Sequence, residues 1–166
     1  METPRTKLTI ITPEDYQELL GMYAEEDTFK YIKPLQNKTR EEYLDMMAFR
    51  LEQSLKNEGY YWIARHNENK DLVGALNLNP FRDTGRIQLG YQISRNYWNQ
   101  GFATELGKAG LDFGFNQWKL KRIHAFVVPG HHASIQVLQK LGFHLLDGSF
   151  MIEGEPPIEM YGIDPE

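Results

Sequence analysis

The sequence contains no cysteine, which removes disulfides, thiolate metal sites and cysteine nucleophiles together and leaves packing alone to hold the fold. No apolar run approaches the roughly 20 residues that span a bilayer, and the first seven residues are polar with no apolar stretch behind them. A cytoplasmic protein without membrane contact is therefore expected. Positive charge is scarce: 18 Lys and Arg against 23 Asp and Glu give a formal net charge of −5. That balance gives no general attraction to nucleic acid, so no direct nucleic-acid binding is expected. The five histidines show no H-E-x-x-H or comparable ligand spacing, and no metal is expected. The phosphate-binding fingerprints G-x-G-x-x-G and G-K-[ST] are also missing.

What remains is ordinary globular material. The chain has 166 residues, 41% hydrophobic and 25% charged, enough for one core and one domain spanning residues 1–166. Residues 8–11 are β-branched and read as a strand, and Thr12-Pro13-Glu14-Asp15 opens a helix whose apolar positions are Tyr16, Leu19, Leu20 and Tyr23. Thr39 with Glu42 three residues on makes a capping box for a second helix, with Leu44, Met47, Leu51 and Leu55 expected on its buried face. Residues 60–65 and 72–79 have strand composition around a polar turn and predict a hairpin. A third strand over 86–93 would place Ile87, Leu89, Tyr91 and Ile93 on one side. From Gly101 the period changes to that of a helix lasting to about Trp118, with Phe102, Leu106, Ala109 and Phe113 on its apolar face. A strand over 122–128, a helix over 132–140 stopped by Gly142, extended structure over 143–146 and a last strand over 158–163 complete a mixed-sheet α/β domain with helices on both faces.

One segment points to a ligand. Asn99-Gln100-Gly101-Phe102-Ala103-Thr104 lies between a predicted strand and a predicted helix, where an α/β sheet offers its ligand crevice. The first turn of a helix presents unpaired N–H groups and the positive end of the helix dipole, which together favour an anion. Gly101 and Ala103 leave room for one to approach, and Phe102 would anchor the helix in the core. By itself the pattern reads more readily as a turn glycine and a helix cap than as an anion site.

Four segments in order extend the reading: Gly90-Tyr91-Gln92-Ile93, then Tyr97-Trp98-Asn99-Gln100-Gly101-Phe102-Ala103-Thr104-Glu105, then Pro129-Gly130-His131-His132-Ala133-Ser134, and finally Leu138-Gln139-Lys140-Leu141-Gly142-Phe143. They resemble the successive motifs of the GNAT acetyltransferases, and in particular the RimJ/RimL-like branch, which contains the ribosomal-protein N-terminal acetyltransferases. The resemblance implies a GNAT-like, mostly antiparallel mixed sheet with two splayed central parallel strands and helices on both faces. It implies acetyl-CoA as cosubstrate, an amine acceptor (small molecule or protein N-terminus) and direct transfer in a ternary complex. Homodimers occur in the family, and no feature of this sequence specifies one.

Residue by residue, the resemblance assigns Tyr91 and Ile93, with Gln92 between them, to the acetyl and pantetheine positions. The pyrophosphate falls to Trp98, Asn99, Gln100, Gly101, Phe102, Ala103 and Thr104, and Glu105 reads as a charge favouring the helix dipole. Trp98 stands where the wider superfamily has Gln or Arg. Leu138 stands at the usual tyrosine acid, which moves the proton donor to Ser134; the alternative for Ser134 is a hydroxyl satisfying local backbone. His131 replaces an asparagine that orients the cofactor or a water, and is open to orienting, to relaying a proton, or to a plain loop position. Gln88 replaces a glutamate base, so deprotonation is left to water or to a base elsewhere such as Glu58 or Glu159. Those replacements also motivate a second reading, a CoA-binding module without turnover. Tyr60, Tyr61 and Trp62 are core residues or cavity lining, and the segment 25–37 is expected to border the acceptor site.

Overall fold

The computed structural model describes residues 1–151 and 157–165. β1 (Thr6–Ile10) leads through a 3-10 turn at Pro13–Asp15 into α1 (Tyr16–Tyr23) and then α2 (Arg40–Leu55). The meander β2 (Tyr60–His66), β3 (Leu72–Pro80) and β4 (Ile87–Ile93) follows, and then α3 (Phe102–Asp112), β5 (Ile123–Val127), α4 (His132–Lys140), β6 (His144–Phe150) and β7 (Ile158–Ile163). The strands form one sheet in the order β1-β2-β3-β4-β5-β7-β6. Only β4 and β5 are parallel, and they pair at one register position, Gln88 with His124. Beyond it the strands part, and residues 89–92 of β4 and 125–127 of β5, with Val128 after it, line a cavity between them. The expected α/β fold, a mostly antiparallel mixed sheet with a diverging parallel pair and helices on both faces, is the one observed.

Strand alternation assigns the two faces. Trp62 and Ala64 of β2 join a large core with Leu76, Leu78 and Leu89 under Phe102, Leu106 and Leu138 of the helices α3 and α4. Ile63, between them, joins the second core with Leu19, Met22 and Met47 of α1 and α2. Phe102 is 2% exposed, and burying such a side chain contributes about 1.5–3 kcal/mol, which fixes the start of α3 against the sheet. All four predicted β4 residues, Ile87, Leu89, Tyr91 and Ile93, belong to the α3 side.

Two expectations about the helices need correction. The Thr39–Glu42 capping box is present, but the buried face of α2 is Met47 and Ser54 with Tyr43, Met46 and Leu51 packed beside them, while Leu55 is 72% exposed. Polar Arg50 and Ser54 face inward, because Ser54 Oγ donates to Arg50 O at 2.9 Å and accepts from Tyr61 N at 3.1 Å, tying α2 to β2. In α3 the helix runs to its expected end near Trp118, as α-helix to Asp112 and π-helix over Phe113–Gln117, and it is the buried face that differs. Its buried stripe runs from Phe102 and Leu106 through Gly107, Gly110 and Gly114, with Ala109 and Phe113 only half-buried. A Cβ on Gly110 would stand 2.7 Å from Leu89 Cδ1, and one on Gly114 2.6 Å from Ile123 Cδ1. Glycine therefore sets the short distance between α3 and strands β4 and β5. Among the described residues no helix is long and apolar enough to cross a membrane.

Candidate active site

The loop before α3 turns twice through the left-handed region, at Asn99 (φ 59°) and at Gly101 (φ 83°), conformations that asparagine and glycine adopt most readily. Gly101 is required by that angle rather than by crowding, since an added Cβ would meet only Arg5 Nη2, at 3.7 Å. Among the described residues no hydrogen bond is donated by the N–H groups of residues 99–104. They stand at the positive end of α3, beside a cavity of about 580 Å³ lined by Tyr91, Gln92, Ile93, Trp98, Asn99, Gly101, Phe102, Ala103, Thr104, His131 and Ser134. Unpaired donors at a helix N-terminus fit a pyrophosphate. Gln100 is the one predicted loop residue that does not line it; its side chain donates to Asn96 O at 2.8 Å instead. The Trp98 indole donates to Ile93 O at 2.7 Å, which leaves that carbonyl one lone pair for a pantetheine amide.

The chain's beginning holds this loop in place, a role the sequence did not reveal. Arg5 donates from Nε to Glu105 Oε2 at 2.7 Å and from Nη1 to Gln100 O at 3.0 Å, and its guanidinium covers the Phe102 ring at 3.9 Å. Thr3 Oγ1 and the Arg5 amide also donate to Glu105, at 2.5 and 3.0 Å. Burial raises the Glu105 carboxyl pKa, but these hydrogen bonds and the Arg5 charge outweigh it and hold the group below its ordinary range. Glu105 is thus an anchor as well as a dipole partner. Arg5 lies 100 residues from Glu105, so no local pattern announces the contact. Arg5→Ala is expected to raise KM for acetyl-CoA about tenfold with kcat little changed, because a loosened loop must be ordered on binding. Steady-state kinetics checks this, with Arg5→Lys intermediate because ammonium lacks the planar fork.

On the other side of β4 the strands β4 and β5 enclose a second cavity of about 900 Å³. Tyr91, Gln92, His131 and Ser134 line both cavities, so the two meet there. Tyr91 Oη lies 3.1 Å from Ser134 Oγ, on the first turn of α4. Ser134 therefore pairs with a strand tyrosine rather than with local backbone. Burial pushes the Tyr91 phenol up to about 12, with the Ser134 contact pulling weakly the other way, and the group stays protonated at neutral pH. His131 caps α4 and stacks on Tyr31 with ring centroids 4.0 Å apart. Burial pushes its imidazole pKa below the ordinary value, so it is neutral at pH 7. His132 is exposed, and Leu138 is buried against the larger cavity.

The segment after α1 closes the junction from above. Residues 30–36 line the larger cavity, and Glu25 fastens the segment to the end of β4 by accepting from Ser94 Oγ at 2.8 Å and Arg95 N at 2.7 Å. Of the three β2 aromatics, Tyr61 lines the cavity, whereas Tyr60 and Trp62 stack on each other at 5.5 Å on the opposite face. Gln88 lines the larger cavity. Glu58 and Glu159 line neither cavity and bond instead with Gln53 and Tyr161. Among the described residues no group of three or more His, Cys, Asp or Glu side chains is placed to hold a metal.

Comparison with known proteins supplies the family. Residues 5–144 match the acetyltransferase (GNAT) domain. The chain is 28% identical over 142 residues to the uncharacterized N-acetyltransferase p20 of Bacillus licheniformis, covering 85% of this chain and 80% of that one. The crystal structure of a GNAT-family acetyltransferase from Bacillus anthracis superposes with a TM-score of 0.83 at 22% identity, over 99% of this chain and 97% of that one. A spermidine N-acetyltransferase from Vibrio cholerae in complex with CoA and spermine superposes at 0.78 with 17% identity, over 96% and 95%. Two cavities meeting between diverging parallel strands, beside a loop of free amides, and a family match over most of the chain lead to one conclusion: the protein belongs to the GNAT acetyltransferases.

Proposed function

We propose that this acetyltransferase is an N-acetyltransferase of the RimJ/RimL-like type that moves an acetyl group from acetyl-CoA to a primary amine by direct attack in a ternary complex. The observation that carries the reading is the junction of the two cavities at Tyr91, Gln92, His131 and Ser134. The smaller cavity, with the amides of residues 99–104, suits the nucleotide end and pantetheine arm. The larger suits the acceptor. Acetyl-CoA supplies an activated acyl carbon and a thiolate leaving group. The remaining needs are a base for the amine and a proton for the sulfur.

His131, neutral at pH 7, accepts the proton that the nitrogen loses as the N–C bond forms. Ser134 donates its hydroxyl proton to the sulfur as the C–S bond breaks, Tyr91 Oη, 3.1 Å away, replenishes it, and the proton held by His131 returns to Tyr91 through solvent as the products leave. Gln88 cannot accept a proton and orients the amine or a water. Neither Glu58 nor Glu159 takes part. The same reading carries a cytoplasmic location and leaves a homodimer as the assembly to test by light scattering.

Calorimetric titration with acetyl-CoA, coupled to thiol release across an amine panel, tests the activity; failure to bind any short acyl-CoA sinks it. Tight CoA binding without transfer to any amine would favour the non-turnover module instead, which the N-acetyltransferase relatives do not favour. Within the site, Ser134→Ala is expected to lower kcat by about 10²-fold, at the lower end for a general acid. Tyr91→Phe keeps the buried ring and is expected to cost less. The double variant should be no worse than Ser134→Ala alone, because the two act in series; additive losses would show that they act separately.

A further inference from the structure

The larger cavity holds a cation, Arg50, that no carboxylate among the described residues compensates. Arg50 reaches the cavity from α2. Its Nη1 donates to the Tyr23 hydroxyl at 2.7 Å, and its guanidinium lies 5.1 Å from the centroid of the Tyr61 ring. Both contacts fix the group and neither neutralises it. A guanidinium has five N–H donors and no acceptor, and a partly buried one is ordinarily paired with a carboxylate. Arg5, Arg65, Arg95 and Arg122 have such a partner, whereas exposed Arg40 donates to Gln17 and half-buried Arg86 pairs with no carboxylate among the described residues. Among the described residues Arg50 has none.

The rest of the lining agrees. Lys30, 5.8 Å from the Tyr31 ring centroid, adds a second positive charge, and no Asp or Glu among the described residues lines this cavity. Asn77, Asn79, Gln88 and Gln92 bring carboxamides from β3 and β4, groups that bond carboxylate or phosphate oxygens as well as a neutral amine. Thus, in a chain with a net charge of −5, the charged side chains that line this cavity among the described residues are cationic, the reverse of what the overall charge suggests. A polyamine would bring further ammonium groups toward Arg50 and Lys30.

We propose that the acceptor is a primary amine that also carries an anionic group, a carboxylate or a phosphate, and that Arg50 receives this anion while the amine reaches His131. The proposal rests on the acetyltransferase reading above. An anion so placed would gain charge-assisted, bidentate hydrogen bonds from a guanidinium already held in position.

Thiol release with matched acceptors tests it: γ-aminobutyrate against butylamine, phosphoethanolamine against ethanolamine, and spermidine as the polycation. The anionic member of at least one pair is expected to exceed its uncharged partner by about tenfold or more in kcat/KM, in keeping with a charge-assisted contact. The pair that responds separates carboxylate from phosphate. In Arg50→Gln that ratio should collapse toward one, and Arg50→Lys should retain part of it, which loss of packing alone would not produce. A preference for spermidine or for the uncharged amines overturns the proposal, whereas failure to bind acetyl-CoA sinks the acetyltransferase reading itself. Saturation-transfer NMR with γ-aminobutyrate and phosphoethanolamine in the presence of CoA gives a readout free of turnover. Binding lost in a folded Arg50→Gln supports the assignment; no binding to the wild type, or equal binding to both, overturns it.

Discussion

His131→Ala is expected to lower kcat by about 10²- to 10⁴-fold, the range for removing a general base, while KM for acetyl-CoA changes far less. The argument starts from position. His131 closes the N-terminus of α4, lines both cavities and is held flat against Tyr31 with ring centroids 4.0 Å apart. Burial pushes its pKa below the ordinary histidine value, so at neutral pH the imidazole has a free lone pair. The sign of the pH dependence follows. Protonation removes the base, so kcat/KM is lost as pH falls through the lowered His131 pKa, and that acidic limb lies below about pH 6.5, the unperturbed value. His131→Phe preserves an aromatic partner for Tyr31 and removes the proton acceptor, so it should lose kcat as the alanine variant does and should also lose the limb. Wild-type turnover in His131→Phe would reduce the residue to a packing role. His131→Asn, the usual family residue, separates orienting from proton transfer: restored turnover without the acidic limb would assign orientation.

Local signals decide which elements form, and long-range contacts decide what the site contains. The Thr39–Glu42 capping box, the alternation along β4 and the change of period at Gly101 are written within a few residues, and each corresponds to an observed element. The diverging parallel pair was legible only through the resemblance, because nothing in residues 87–93 or 123–127 states that they run side by side. Apolar periodicity misread α2. Phe49 and Leu55 are exposed at 53% and 72%, while the inward face is given to Arg50 and Ser54, whose work is done by hydrogen bonds and charge. It misread α3 for a related reason. Glycine counts as a helix breaker, yet Gly107, Gly110 and Gly114 are buried where the helix touches the sheet. The Tyr91–Ser134 contact joins residues 43 apart and the Arg5–Glu105 pair residues 100 apart. Chemistry assembled from separate elements leaves no periodic trace, and the cations that line the larger cavity are scattered along the chain in the same way.

Gly74→Ala should be among the most damaging single-methyl changes in this chain. Gly74 lies on β3 opposite Ile93 of β4, and a Cβ there would come 2.1 Å from the Gln92 carbonyl oxygen and 3.0 Å from Ile93 Cα. Both are backbone atoms, so no side-chain rotation relieves the clash, in contrast to Gly107, Gly110 and Gly114, where the obstructing atoms end leucine or isoleucine side chains. The strands must move apart at the place where Gln92 and Ile93 line the smaller cavity. Overpacking typically costs about 1–3 kcal/mol and occasionally more, and a backbone clash belongs at the upper end. A loss of about 3 kcal/mol corresponds to a fall of roughly 6–12 °C in Tm for a domain of this size. Because the strain enters on the cavity strand, acetyl-CoA affinity should fall with it. Gly21→Ala is the control: Gly21 lies in α1 with nothing within 4 Å of the added methyl, and alanine there should stabilise by about 0.5–1 kcal/mol through the lower entropy of the unfolded chain and better helix propensity. Thermal melts of both variants, with and without acetyl-CoA, decide the matter. An unchanged Tm and affinity in Gly74→Ala would mean that β3 and β4 can separate without cost, and the rigid cavity strand on which the proposed mechanism depends would be lost with it.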